Sequence, residues 1–471
     1  MTTDRIWEGD VVVVGAGPAG AWAAACLARG GARVALVDRR PRGDAGAQWV
    51  NGLASWLLDE AGCVHPRPPE LLGAGHRFTI LSPLGNHRVD VDDHPLYEVD
   101  MRLLGLRLAD EAEAAGAEML WETVAEEVEI GSAGRPVALT ATRTSGGIEE
   151  RLRLRASVFV DASGLPAVLR RQVPRLAHAC PPPAPSDLCV AAQEVREISD
   201  RGGARAFLGR HDAEPEQTLA WTGVEGGYSV LNVRVDADFN RMSILTGSTA
   251  LPRYRSGRRI LDDFARQHDW VGPRIFGGSR ALPLRRPYSR LVAPGIALLG
   301  DAACQVYPTH GSGIGIGLAA ARMLADAILG ALRRREDPGA RPAMWGYSSA
   351  FHRKWGALMC SADAFRRFSQ TLRPADVDRM MGHGILSPQM VADGLAQRPA
   401  SVHLDGLWTQ LRGMSKAGDL AARLIPVLAR LPLIERVAAT YPKRDSGHIQ
   451  VDIYRYERRM RWLVDSVGSR R

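Results

Sequence analysis

Lysine is almost missing from this 471-residue chain: only Lys354, Lys416 and Lys443 occur among its 60 basic residues. The formal charge of +8 therefore rests on arginines, which are spread along the sequence and interleaved with acids. A solvated arginine-rich face accounts for that pattern better than a phosphate-binding patch, so no nucleic-acid partner is expected. One local excess, RYERRMR from Arg455 to Arg461, leaves a protein partner open at the C-terminal region. Cysteines are few as well. The six at positions 26, 63, 180, 189, 304 and 360 form no CxxC pair, which argues against a disulfide scaffold and a zinc site. No metal is expected. Long apolar runs are also lacking. The uncharged run Val11 to Ala28 is broken by GAGPAG and preceded by Asp4, Glu8 and Asp10, so it has the wrong flank for a signal peptide, and no transmembrane segment is expected. Unpaired cysteines fit a cytoplasmic location.

What is present is a globular composition, 45% hydrophobic and 24% charged, over a length that suits two or three domains. Near the start, the β-branched run Val11–Val14 reads as a strand buried on both faces. It leads into Gly15-Ala16-Gly17-Pro18-Ala19-Gly20 and an alanine-rich helix that ends at Gly30-Gly31. A dinucleotide phosphate needs this order: Gly15 for the turn, Gly17 for close approach of backbone to pyrophosphate, and Gly20 for close packing of helix on strand. A second strand, Arg33 to Val37, ends in Asp38, an acid suited to a ribose hydroxyl. This fingerprint serves NAD and FAD alike.

Two later signals repeat the theme. The apolar run 295–299 ends in Gly300-Asp301-Ala302-Ala303, followed by the glycine-rich loop Tyr307 to Gly317 and a long Ala/Leu helix. Between them lies Val158-Phe159-Val160-Asp161-Ala162-Ser163-Gly164, with Arg170 and Arg171 downstream. These three motifs, in this order, resemble the FAD-binding frame of the superfamily that contains para-hydroxybenzoate-hydroxylase-like monooxygenases, geranylgeranyl reductases and flavin-dependent halogenases.

The resemblance implies an α/β fold: a Rossmann-like, glutathione-reductase-like FAD-binding domain with a single dinucleotide fold, an inserted and mostly antiparallel β-sheet substrate domain, and a C-terminal helical region. The FAD-binding part is expected over 1–177 and 283–336, with a substrate-domain excursion near 65–98. The alternating segments of 178–282 suit the substrate sheet, and 337–471 the helical region, broken into short elements by Pro426, Pro432 and Pro442. Residues 420–440 read as a core-facing helix pair, with a lid or partner groove as the alternative.

Carried over by position, the resemblance puts Gly15, Gly17, Ala19 and Gly20 at the pyrophosphate and Asp38, with its neighbour Arg39, at the adenosine ribose. Gln48 falls where the loop after the second strand returns over the flavin, and Val124 where backbone meets adenine. Asp161 and Gly164 belong to the middle motif. Gly300 and Asp301 would hold the ribityl chain or a phosphate-bound water, and Pro308, Gly311, Gly313 and Ile314 would lie along the isoalloxazine. The family's arginine at the start of the helix near 101–115 aligns with Met101, leaving Arg102 one residue late.

Which reaction the flavin serves is a separate question. A tryptophan-type halogenase needs a lysine in the first part of the chain and a WxWxI segment, and neither is found. A geranylgeranyl-type alkene reductase would carry Y-x-W-x-F-P; Gly226-Gly227-Tyr228-Ser229-Val230-Leu231 keeps the tyrosine and loses the tryptophan and proline. The motifs therefore favour an NAD(P)H-using monooxygenase that hydroxylates a bulky apolar or aromatic substrate, free or held on a carrier or protein. The alkene reductase is the alternative, and a flavoprotein acting on a protein partner, or a halogenase-like enzyme, ranks after it. His310 is the candidate catalytic group, as a hydrogen-bond donor beside the flavin, and Trp221 and Tyr228 are candidates for the substrate pocket.

Overall fold

The computed structural model describes residues 4–92, 94–131, 134–399, 413–445 and 448–468. Val11, Val12 and Val13 have no exposed surface, and a strand of that kind needs a neighbour on each edge and cover on each face. The strand Asp4–Val14 runs parallel to Ile148–Asp161 on one edge and to Val34–Val37 on the other, inside an eight-stranded sheet. Ile296–Leu298 and Glu118–Leu120 extend the parallel centre, while Thr123–Ile130 and Pro136–Ser145 make an antiparallel wing. Parallel strands bring their C-terminal ends to one rim, where ligands of such sheets bind. Here the first residues past four of those ends are Gly15, Asp38, Ala162 and Leu299.

Two helices start at that rim. Pro18–Arg29 and Ile314–Arg333 pack side by side, and a Cβ added at Gly317 would stand only 3.2 Å from the Ala19 Cβ. Small residues at this crossing let both N-termini reach the same place. Ile314–Arg333 is long and apolar enough to cross a membrane by length and composition, yet most of it is buried inside the fold.

The second sheet has seven strands in the order Val271–Pro283, Leu188–Ile198, Arg241–Thr249, Ser229–Val235, Thr218–Thr222, Phe78–Leu81 and Arg88–Val91. All its pairs are antiparallel except Thr218–Thr222 with Phe78–Leu81. Alternation along these strands separates two faces. One packs on Phe207, Leu261, Phe264 and Trp270, mostly from the helices Arg201–Arg210 and Gly257–Gln267. The other, together with the three-stranded sheet of Val50–Ala54, Leu96–Asp100 and Leu71–Ala74, looks into a cavity.

The C-terminal part is helical, with short elements around Pro426 and Pro432 and one long helix before them. Arg341–Ser369 is one 29-residue helix, because Pro342 sits in its first turn, where no intrahelical N–H is lost. Over 420–440 the chain does form a helix pair, Asp419–Leu428 and Leu431–Ala439, packed against that long helix. In the helix Ile449–Val464, Tyr456 and Met460 face inward while Arg455, Arg458, Arg459 and Arg461 point to solvent.

A buried ion network ties these parts together. The Arg366 guanidinium, 1% exposed, donates to Asp187 at 3.0 Å and to Asp363. Arg286 reaches Asp363 at 3.2 Å and Asp465 at 2.5 Å. Burial alone would raise the Asp363 carboxyl, but Arg366, Arg367 and Arg286 outweigh it and hold the group well below the usual carboxylate range. Its contribution to stability is thus complete at neutral pH and is lost as pH falls below the ordinary 3.8. Asp363→Ala leaves two buried guanidiniums short of their shared partner, and should cost about 3–5 kcal/mol. Thermal unfolding followed by circular dichroism would measure this, and an unchanged midpoint would contradict the role given to the network.

Candidate active site

The glycines at the first rim position do different jobs. Gly15 has φ +108°, and a Cβ there would meet the Ala162 carbonyl oxygen at 2.3 Å. A Cβ on Gly20 would fall 1.9 Å from the Gly15 carbonyl oxygen, so only glycine lets the helix close on the turn. Gly17 is the opposite case: the nearest atom to its Cβ position is Gly46 Cα at 3.9 Å. The space in front of that helix start is free for a ligand. Gly300 has φ +64°, and a Cβ added there would stand 3.5 Å from the Ala19 Cβ. A strip of partly accessible residues, among them Ala19, Asp38, Gly164, Gly300, Asp301 and Ile314, thus runs through buried surroundings. Two helix N-termini supply N–H groups and partial positive charge to it. This arrangement fits the diphosphate and ribityl parts of FAD.

The acids differ in how they are used. Asp38 accepts from the Ala16 N–H at 2.7 Å and from the Arg40 N–H at 2.9 Å, so it shapes the turn while remaining at the cleft. Asp161 has no exposed surface. It accepts from Ser163 N–H and Oγ and from the N–H groups of Leu169 and Arg170; it holds the 161–170 turn and offers nothing to a ligand, contrary to the expectation of a cofactor contact. Burial pushes the Asp301 carboxyl up to about 6, with Arg280 opposing the shift. Arg39 is exposed beside Asp38, and Val124 follows Thr123, whose N–H donates to the Asp38 carbonyl at 2.8 Å. Gln48 donates to the Gly43 carbonyl at 3.2 Å and so braces its own loop.

Arg102 is committed elsewhere. It pairs with Asp100 at 2.6 Å, and its guanidinium lies 3.5 Å from the Phe276 ring centroid. A different arginine reaches the cleft: Arg280, from the second sheet, donates to the Gly46 carbonyl at 2.5 Å and feels the charges of Asp301, Asp38, Arg39 and Arg40. No described carboxylate forms an ion pair with it. Nothing in the alternating segment around Arg280 marks it in the sequence, since its place depends on one sheet folding over another.

Past the cleft lies a cavity of about 220 Å³. Its inner wall is Trp49 to Gly52 with His310, Gly311 and Ser312 of the glycine-rich loop. Phe78, Leu96, Val230, Leu245, Leu282 and Leu395 make most of the rest apolar. Tyr228 lines it, and a Cβ on Gly311 would stand 3.1 Å from its hydroxyl. Trp221 does not: it lies on the other face of the same sheet, against Phe207 and His211. His310 Nε2 bonds to the Gly394 carbonyl at 3.0 Å, and burial pushes its pKa down to about 4. At neutral pH the ring is uncharged and its Nε2–H is already given to the protein, unlike the free donor foreseen from sequence. Pro308 is buried in the same loop, and Gly313 caps the helix that Ile314 begins. Cys304 is fully buried, with its thiol pushed up to about 11, which suits packing rather than nucleophilic attack.

Sheet, cleft and cavity define a flavoprotein with a single dinucleotide-binding unit among the described residues. The FAD dependent oxidoreductase family matches residues 10–174. Over 448 residues the chain is 26% identical to the digeranylgeranylglycerophospholipid reductase of Sulfolobus acidocaldarius, covering 93% of this chain and 94% of that protein. It is 26% identical over 347 residues to the menaquinone reductase of Mycolicibacterium smegmatis, covering 68% and 76%. A solved geranylgeranyl bacteriochlorophyll reductase-like protein from Thermoplasma acidophilum shares the fold at TM-score 0.68 and 18% identity, over 88% of this chain and 100% of that one. The family match over residues 10–174 and the similarity to these reductases support an FAD-dependent oxidoreductase.

Gly17→Glu would fill the free space before the first helix with a carboxylate and should abolish FAD binding. Arg280→Ala removes a charged donor and should weaken FAD binding about tenfold, with Arg280→Lys in between. Titration of the apoprotein with FAD, followed by flavin fluorescence, reads both; undiminished affinity in either alanine or glutamate variant would contradict the placement of the cleft.

Proposed function

We propose that the protein saturates an isolated carbon–carbon double bond in an isoprenoid chain held in the apolar cavity. The observation that carries this reading is the approach of the Tyr228 hydroxyl to Gly311 at the inner wall of that cavity. Bound in the cleft, FAD would supply two electrons as a hydride, drawn from NAD(P)H. The chain's own residues do the rest. The apolar wall excludes water from the double bond, Trp49 to Gly52 and the glycine-rich loop fix its distance from the cleft, and Tyr228 holds the proton that goes to the second carbon. Burial raises the pKa of that hydroxyl, so it is protonated at any working pH. Hydride and proton together add two hydrogens, and the tyrosinate regains its proton from solvent. Support comes from the relative matched along nearly the whole chain, a digeranylgeranylglycerophospholipid reductase.

Hydroxylation is the second reading, favoured by the segment Gly226 to Leu231, which lacks the tryptophan and proline of the reductase signature. The two part company without oxygen. The reduced holoprotein, mixed anaerobically with farnesol, should reoxidise its flavin and yield a product heavier by two hydrogens. Tyr228→Phe should slow that step about a hundredfold with FAD affinity unchanged. Reoxidation only on admitting oxygen, with one oxygen atom gained by the product, would establish the monooxygenase instead.

A further inference from the structure

The cavity is not apolar throughout. Glu98, His76, Arg234 and Asn232 line one end of it. Arg234 is 7% exposed and stands 2.8 Å from Glu98, 3.3 Å from Glu216 and 3.3 Å from Asp236. Its Nε also donates to the Glu216 carbonyl at 3.1 Å. One guanidinium therefore faces three carboxylates, and Nε, Nη1 and Nη2 each already donate to Glu216 or Asp236. His76 is 3.9 Å from the same Glu216, so it is drawn to the acids as well. Two buried acceptors at this end lack an aligned hydrogen-bond donor: Glu98 Oε2, despite its closeness to Arg234, and Asn232 Oδ1. Carbonyl and carboxylate oxygens left in that state cost free energy until a ligand donor reaches them.

We infer that the cavity takes its isoprenoid substrate by a neutral end that donates hydrogen bonds, a hydroxyl, and disfavours one that ends in phosphate. A phosphate offers only acceptors and at least one negative charge. It would meet the Asn232 carbonyl oxygen and the carboxylates of Glu216 and Asp236 around a single guanidinium, beside Glu98, whose carboxyl burial pushes up to about 7. A hydroxyl satisfies Glu98 or Asn232 without adding charge. The link to the flavin side is short: Glu98 pairs across the small sheet with Gly52, whose carbonyl accepts from Ser312 of the glycine-rich loop at 3.3 Å. The end group is thus recognised one strand away from the loop that borders the cleft. This selectivity rests on the alkene-reductase reading and names its substrate class.

The test uses the FAD-loaded protein, titrated with farnesol and with farnesyl monophosphate in the same detergent, with perturbation of the flavin absorbance giving each Kd. Farnesol should bind roughly tenfold or more tightly than the phosphate, because like charges placed together cost affinity. The double variant Glu98→Gln and Glu216→Gln, which keeps Asp236 on Arg234, should narrow that difference. Equal or tighter binding of the phosphate, or no binding of either probe, would overturn the inference. If farnesol binds preferentially yet does not reoxidise the reduced flavin anaerobically, the end-group selectivity stands and the reductase reading fails.

Discussion

The close meeting of two helix starts over one rim of the parallel sheet is the constraint on which the rest depends. It is possible only because side chains are absent at the crossing: Gly20 sits where a Cβ would be 1.9 Å from the Gly15 carbonyl oxygen, and Gly317 lies against Ala19. Bulk at either point would part the helices from the strands and move their N–H groups away from the cleft. Asp38 and Asp161 serve the same end, since each uses backbone N–H groups to hold a turn at that rim.

The second sheet completes what the first begins. Its strand Val271–Pro283 sends Arg280 to the loop over the cleft and Phe276 beneath Arg102, so cofactor and substrate regions are fastened across the same strand. Its inner face supplies an apolar wall near the glycine-rich loop and a polar, acid-rich end further off. Hydrophobic burial can draw in a chain-like substrate, but it discriminates poorly among such chains; the polar end provides the selectivity that burial lacks.

Local motifs were legible in the sequence because each is a short segment whose chemistry is complete within a few residues. Strand, turn, helix and acid at 11–38 are of this kind, and so are the turns at Asp161 and Gly300. The Ala-rich helices and the alternating strands of the second sheet follow from periodicity in the same way. What sequence could not show depends on contacts between distant segments. Trp221 sits on the strand Thr218–Thr222 and Tyr228 in the bend just before Ser229–Val235, and only the sheet's packing sends Trp221 to Phe207 and Tyr228 to the cavity. Arg280, and the group of Glu98, Glu216 and Arg234, likewise come together from separate strands and loops. His310 stood out for its place in the loop, but its bond to Gly394, far along the chain, decides which of its nitrogens is free.

The central claim is that the converging helix starts hold a diphosphate, and that this is what binds the flavin. Isothermal titration of the apoprotein with FAD and with riboflavin, which has the same ring and ribityl chain but no diphosphate, addresses it most directly. FAD should bind with one site per chain and riboflavin roughly a thousandfold more weakly, in keeping with several charge-assisted hydrogen bonds lost at the helix starts. Comparable affinity for the two would contradict the account.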